Sequence, residues 1–279
     1  MTETSKIFCC PNADTTFISS DDVAFKIHSM HLTSHSVGFA NSQNILDVTE
    51  PVHLPERSGV LEILFQFIEP PSEAANYHQP SMIDLDDRLF FEVAEAAEKY
   101  IVYGAMNTCL TRMDQMPADY PFEVLNHCTK HGYPDLADQA AEESIKLPLR
   151  KAASKITCPD TLRKWLVYYD EWREAGKSAV ALFEKKNSRK CRIWANIYTA
   201  YLRKLGTDPT AIDTVPKFSL NEFNVECKLK ASGCNCKLVQ YNKEWPWQEE
   251  LANIIDEIPS FSGVSIDEVT ESEEGEGEE

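Results

Sequence analysis

The sequence predicts an α+β protein: a small three-stranded sheet with helices, followed by an all-helical C-terminal region. Three observations carry this. Two short β-rich runs, Asp14 to Ser20 and Val23 to His28, flank an Asp21-Asp22 turn signal and read as a hairpin. From Ser58 to Leu205, apolar residues recur instead at spacings of three and four. A hydrophobic content of 43% with 10% aromatics in 279 residues is enough for a sizeable core.

The elements follow in order. After the hairpin, Leu32, Ser36 and Phe39 share one face of a helix spanning roughly Ser29 to Ala40. Pro51 to Glu56 supplies the third strand. Residues 58–68 place Leu61, Leu64, Phe65 and Ile68 on one stripe, and Pro70-Pro71 stops that helix. A polar, Pro-containing loop runs from Ser72 to Met82. Asp84 then precedes Leu85, Leu89, Phe90, Val93, Ala97 and Tyr100 at helical spacing. Ala105, Cys109 and Leu110 continue it as a helical hairpin.

Beyond Pro117 the pattern is helical. Pro121 opens a helix that His131-Gly132 closes, and Pro134 opens another that Pro148 breaks. A long helix begins at Pro159-Asp160 and carries the aromatic stripe Trp165, Leu166, Tyr169, Trp172, continuing to Phe183. Such a stripe reads as core, not as a cofactor site. A further helix covers about Lys190 to Leu205, capped by Gly206. Periodicity fails from Thr207 to Tyr241. Trp245 opens a last short helix with Leu251, Ile254, Ile255 and Ile258, which Pro259 ends.

The order of elements and the residues Asp14, His28, Leu32, Ser36 and Phe39 resemble the BTB/POZ domain, a protein-interaction module. The run Ala94-Glu-Ala-Ala-Glu-Lys-Tyr100 adds to the match. The helices after Pro117 resemble the extension that follows this fold in many members, most closely those of fungal type. The resemblance implies a BTB/POZ domain at 13–115 and a helical extension at 117–206. An irregular Cys-containing segment with a short terminal helix then fills 207–263. A disordered acidic tail occupies 264–279.

What the resemblance implies about function is non-catalytic: an adaptor that self-associates and recruits protein partners, for some members a cullin-type ubiquitin-ligase scaffold. Family dimers pair through the helix after the hairpin, which here makes Met30, His31 and His35 the self-association candidates. The long N-terminal extension exchanged in many dimeric members is expected to be very short, which leaves monomer and homodimer both open. Cullin-binding members carry an apolar-x-Glu motif before the third strand, and Val48, Thr49 and Glu50 stand there. His28 reads as a structural residue that hydrogen-bonds near the helix start.

Charge narrows the partners. The net charge is -18, from 45 acidic and 27 basic residues. Eight of those acids lie in Asp267 to Glu279 with no base, leaving about -10 for the rest. Nucleic-acid binding through a basic face is not expected. The acidic tail keeps a second adaptor class open, a transcription or chromatin adaptor whose tail meets basic partners. No apolar run approaches the roughly 18 residues needed to cross a bilayer. No secretory pattern or Asn-x-Ser/Thr sequon occurs, so the expected location is cytoplasm or nucleus.

Gly176-Lys177-Ser178 fails as a phosphate loop, because position 171 is Glu and the segment lies within a helical pattern. His127, Cys128 and His131 read as a core thiol beside two surface imidazoles rather than a dyad. With nine cysteines, an odd count, reduced thiols are expected, and Cys109 and Cys128 fall on apolar helical faces. The one metal candidate is Cys227, Cys234 and Cys236. Structural zinc takes four ligands, so a fourth such as Cys191 would have to complete it; loop thiols are the alternative. No cofactor is expected otherwise.

Overall fold

In the computed structural model, residues 3–40, 50–70, 78–186, 199, 201–213 and 248–265 are described. The chain forms two compact units, Met1–Met116 and Pro117–Glu279. The first is α+β, built on a small mixed sheet, and the second is mostly helical.

The hairpin forms as expected. β2 (Thr15–Ile18) pairs antiparallel with β3 (Val23–Ile27), with Phe17 opposite Phe25 and Thr15 opposite Ile27. Alternation buries Phe17, Phe25 and Ile27 on one face. The turn is tied by the Ser19 N–H donating to Val23 O at 2.9 Å and the Val23 N–H donating to Ser19 Oγ at 3.0 Å. Asp22 takes the left-handed conformation there, a position that Asp tolerates.

The sheet has four strands rather than three, in the order β1-β3-β2-β4. β1 (Glu3–Thr4) runs parallel to β3, and β4 (Val52–His53) runs parallel to β2. β1 is two exposed polar residues, a pair with no periodicity to detect. Only the free edge of β3 makes it a strand.

The single helix expected over Ser29 to Ala40 is two: α1 (Ser29–His35) and α2 (Val37–Ala40). Ser36 between them is extended, at φ -146° and ψ 140°. Its hydroxyl donates to Tyr100 O at 2.5 Å and accepts from the Phe39 N–H at 3.1 Å. An isolated antiparallel bridge joins it to Val102. Tyr100 is 64 residues distant in sequence, so helical spacing could not report the break. Leu32, Ser36 and Phe39 nevertheless all point inward.

α3 (Ser58–Gln66) buries Val60, Leu61, Leu64 and Phe65. Phe65 lies within 5.3–6.1 Å, ring centre to ring centre, of Phe8, Phe17, Phe25 and Phe39. Burying each such side chain stabilises by roughly 1.5–3 kcal/mol. α4 (Asp87–Tyr100) starts at Asp86, whose carboxylate accepts from the N–H groups of Arg88 and Leu89. At its other end Tyr100 stacks on Phe39 at 4.3 Å and donates to Glu56 at 2.6 Å. Burial, with the Glu56 carboxylate beside it, pushes the Tyr100 phenol far up. α5 (Tyr103–Met113) follows, and Arg112 on it reaches back to Met82 O, Leu85 O and Asp87. That fork pins the end of the preceding loop. The loop expected over 72–82 is described only from His78.

In the second unit, α6 (Pro121–His131) ends at Gly132, whose φ of +82° is the left-handed cap a glycine adopts without strain. α7 (Pro134–Ser144) and the long α9 (Pro159–Lys186) lie where the spacing places them. Between them is a short α8 (Leu149–Lys155), where the sequence reading has only a break at Pro148. Gly176 sits inside α9, so the segment is helix and not a phosphate loop. Trp165 is fully buried, and its Nε1–H donates to Ser144 Oγ at 2.6 Å. Leu166, expected on the same stripe, is instead 47% exposed.

Residues 201–205 are helical, and Tyr201 donates to Ile212 O at 3.0 Å. A 3-10 turn covers Pro209–Asp213, and α10 (Gln248–Asp256) is the expected terminal helix. The segment after it docks on the helices. Phe261 packs edge-on against Tyr168, while the Ser262 N–H and hydroxyl donate to the two carboxylate oxygens of Asp138 at 2.6 and 2.8 Å. Among the described residues, no helix is long and apolar enough to cross a membrane.

Candidate functional site

The motif residues converge on α1, and the first of its supports is a clamp. Asp14, just ahead of β2, accepts from the Ser29 N–H at 2.7 Å and the Ser29 hydroxyl at 2.6 Å. α1 has no cap from its own N-cap residue, His28, so Asp14 satisfies a free N–H of the first turn from another segment. Asp21 treats α3 in the same way, taking the Ser58 N–H and hydroxyl, both at 2.7 Å.

Both carboxyls titrate low. Hydrogen bonds from the Ser29 hydroxyl and N–H lower Asp14. The Ser19 hydroxyl and then Ser58 bring Asp21 down to about 2 from an ordinary 3.8. A folded-state value below the unfolded one gives stability that is present above the unfolded pKa and lost as pH falls through the folded pKa. Asp21→Asn, which keeps an acceptor oxygen but not its charge, is therefore expected to lower stability at pH 7 by about 1 kcal/mol, the extra worth of a hydrogen bond to a charged acceptor. In urea titrations at stepped pH, the gap from wild type should close between about 3.8 and about 2. A gap unchanged across that window would exclude the clamp as its source.

The second support is Glu69, which follows α3 and precedes Pro70. Its Oε1 accepts from the His28 N–H at 2.7 Å. The His28 ring nitrogen Nδ1 lies 3.1 and 3.2 Å from the two carboxylate oxygens, and His31 Nδ1 lies 2.8 Å from Oε2. His28 is thus the structural residue at the helix start that the sequence implies. His31 is turned toward Glu69 and half-buried, while the other two self-association candidates stay outward. Met30 is 67% exposed, and His35 is exposed, with Nδ1 3.0 Å from His31 O. Nothing in the sequence marked Glu69: it is one carboxylate at a helix end, and only the fold brings it to His28.

The remaining candidates divide between those placed and those not. Glu50 is exposed on the approach to β4; Val48 and Thr49 lie outside the described residues. Cys227, Cys234, Cys236 and Cys191 lie outside them too. Cys109 and Cys128 are buried as expected, and burial pushes the Cys109 thiol up to about 12. Cys158 is exposed, and hydrogen bonds from the Thr161 N–H and hydroxyl lower its thiol. The reading of His127 as a surface imidazole is corrected: it is buried, with its ring against Tyr133 and His131.

A cleft of about 830 Å³ in the second unit is walled by Ile145, Leu147, Tyr169, Trp172 and Val180 among others. Its cations are engaged at its rim, Arg173 with Asp170 and Lys177 with Glu174. The chain matches no protein-family model and no curated protein.

Proposed function

We propose that the N-terminal unit is an interaction module of the BTB/POZ type, and that the chain is a non-catalytic adaptor. It self-associates through the outward side of α1 and recruits a protein scaffold of the cullin type through the segment ending at Glu50. The observation that carries this reading is the division of labour around α1. Asp14, His28, Leu32, Ser36 and Phe39 are all spent on holding the helix to the sheet, α3 and α4. Met30 and His35 are spent on nothing in the core. An exposed methionine on a rigidly held helix is a surface suited to a second copy, because the ordering cost is already met.

The test is sedimentation velocity on the full chain across a concentration series, alone and with a purified cullin N-terminal domain. The expected result is a concentration-dependent dimer that Met30→Glu with His35→Glu shifts to monomer, and a cullin complex that Glu50→Lys weakens at least tenfold. A chain that stays monomeric throughout and forms no cullin complex would remove the reading.

A further inference from the structure

We propose that His28, His31 and Glu69 form a binding site for a divalent transition-metal ion of the zinc class. The three side chains come from the β3–α1 junction, the first turn of α1 and the end of α3. One ring nitrogen of each imidazole and a carboxylate oxygen all lie within 4.8 Å of one another. The imidazole rings meet edge to face at 5.3 Å and 63°, and Nδ1 of each lies 2.8–3.2 Å from a Glu69 carboxylate oxygen.

The donor set selects the ion. Two imidazole nitrogens and one carboxylate oxygen suit zinc and its neighbours, whereas calcium and magnesium take oxygen shells. Tetrahedral bonds of about 2.05 Å separate neighbouring donors by roughly 3.4 Å. The observed N···O separations of 2.8–3.2 Å fall just inside that, so modest ring rotations open the space. The backbone supplies the orienting contact that metal sites use: the His28 N–H holds Glu69 Oε1. The side chains are 30%, 21% and 14% exposed, sheltered on one side and open to water on the other. Three protein ligands and a water make a four-coordinate site.

On binding, each Nδ1 lone pair and the carboxylate become metal ligands. The proton that an imidazole held at Nδ1 moves to Nε2, or to solvent if the ring was charged. The ion would then join the start of α1 to the segment after α3, which Glu69 now links through its contacts with His28 and His31. It would stabilise the first unit in proportion to its saturation.

The C-terminal thiols could also take zinc, so the test uses the full chain with Cys227, Cys234 and Cys236 changed to serine and metal stripped by chelator. Zinc is titrated by calorimetry, and thermal unfolding is followed in parallel. The expected result is one ion per chain, a raised unfolding midpoint, and at least tenfold weaker binding in both Glu69→Gln and His31→Gln. Long-range proton–nitrogen spectra of the folded parent provide a readout that needs no ligand variant: zinc should shift Nδ1 of His28 and His31. Unshifted Nδ1 signals, no ion bound, or equal binding by the folded Glu69→Gln chain would each overturn the site.

Discussion

Trp165→Ala is expected to cost the second unit about 4 kcal/mol, within the range for emptying a large buried aromatic site. Trp165 has no exposed surface, packs against Phe122 at 6.3 Å and Tyr169 at 5.4 Å, and donates to Ser144. Alanine removes the ring and leaves a void between the N-terminal half of α9 and the residues Phe122 and Ser144 that it packs on. It also removes a donor to a fully buried hydroxyl, although Ser144 still donates to Ala141 O at 2.7 Å. Urea unfolding by circular dichroism, with hydrogen exchange read over 121–186, measures the loss. Trp165→Phe keeps most of the packing and should lose less than half as much. A loss under 1 kcal/mol for alanine would mean that the α7–α9 packing is not the core of this unit.

Gly38→Ala is expected to cost the first unit about 3 kcal/mol, the upper end for a side chain forced into filled space. A Cβ on Gly38 would lie 2.5 Å from Tyr100 O and 2.6 Å from Tyr100 C and Cα. Those are backbone atoms, so no rotamer change relieves the clash. The backbone that would have to shift also accepts the Ser36 hydroxyl and carries the ring stacked on Phe39. Relief by movement therefore breaks other contacts. Hydrogen exchange over 29–40 and 96–105 should rise together in the variant. Gly59, where a Cβ meets nothing within 4 Å, is the control, and Gly59→Ala should leave stability within about 0.5 kcal/mol of wild type or raise it.

Much of the fold was legible because it repeats. The hairpin showed through Phe17, Phe25 and Ile27 alternating about an Asp-Asp turn. α3, α4, α6, α7 and α9 showed through apolar residues at helical spacing, and α6, α7 and α9 also through Pro at their starts. The core side of the motif was legible too, since Leu32 and Phe39 are buried where the spacing put them. Less of the candidate site could be read. Met30, His31 and His35 are neighbours in sequence, yet His31 alone turns to a carboxylate 38 residues away.

What the sequence determined by itself was therefore periodic and local: the α+β class, most helix bounds, the buried apolar faces, and the caps that Gly132 and the helix-opening prolines impose. Tertiary structure alone decided the rest. It made Glu3–Thr4 a strand, broke the helix at Ser36, assigned Asp14 and Asp21 as clamps, and gathered His28, His31 and Glu69. The reason is the same in each case. Burial of apolar faces repeats with the period of the backbone, so it is written along the chain. A hydrogen bond between one donor and one distant acceptor has no period, and it exists only once folding has brought the two together.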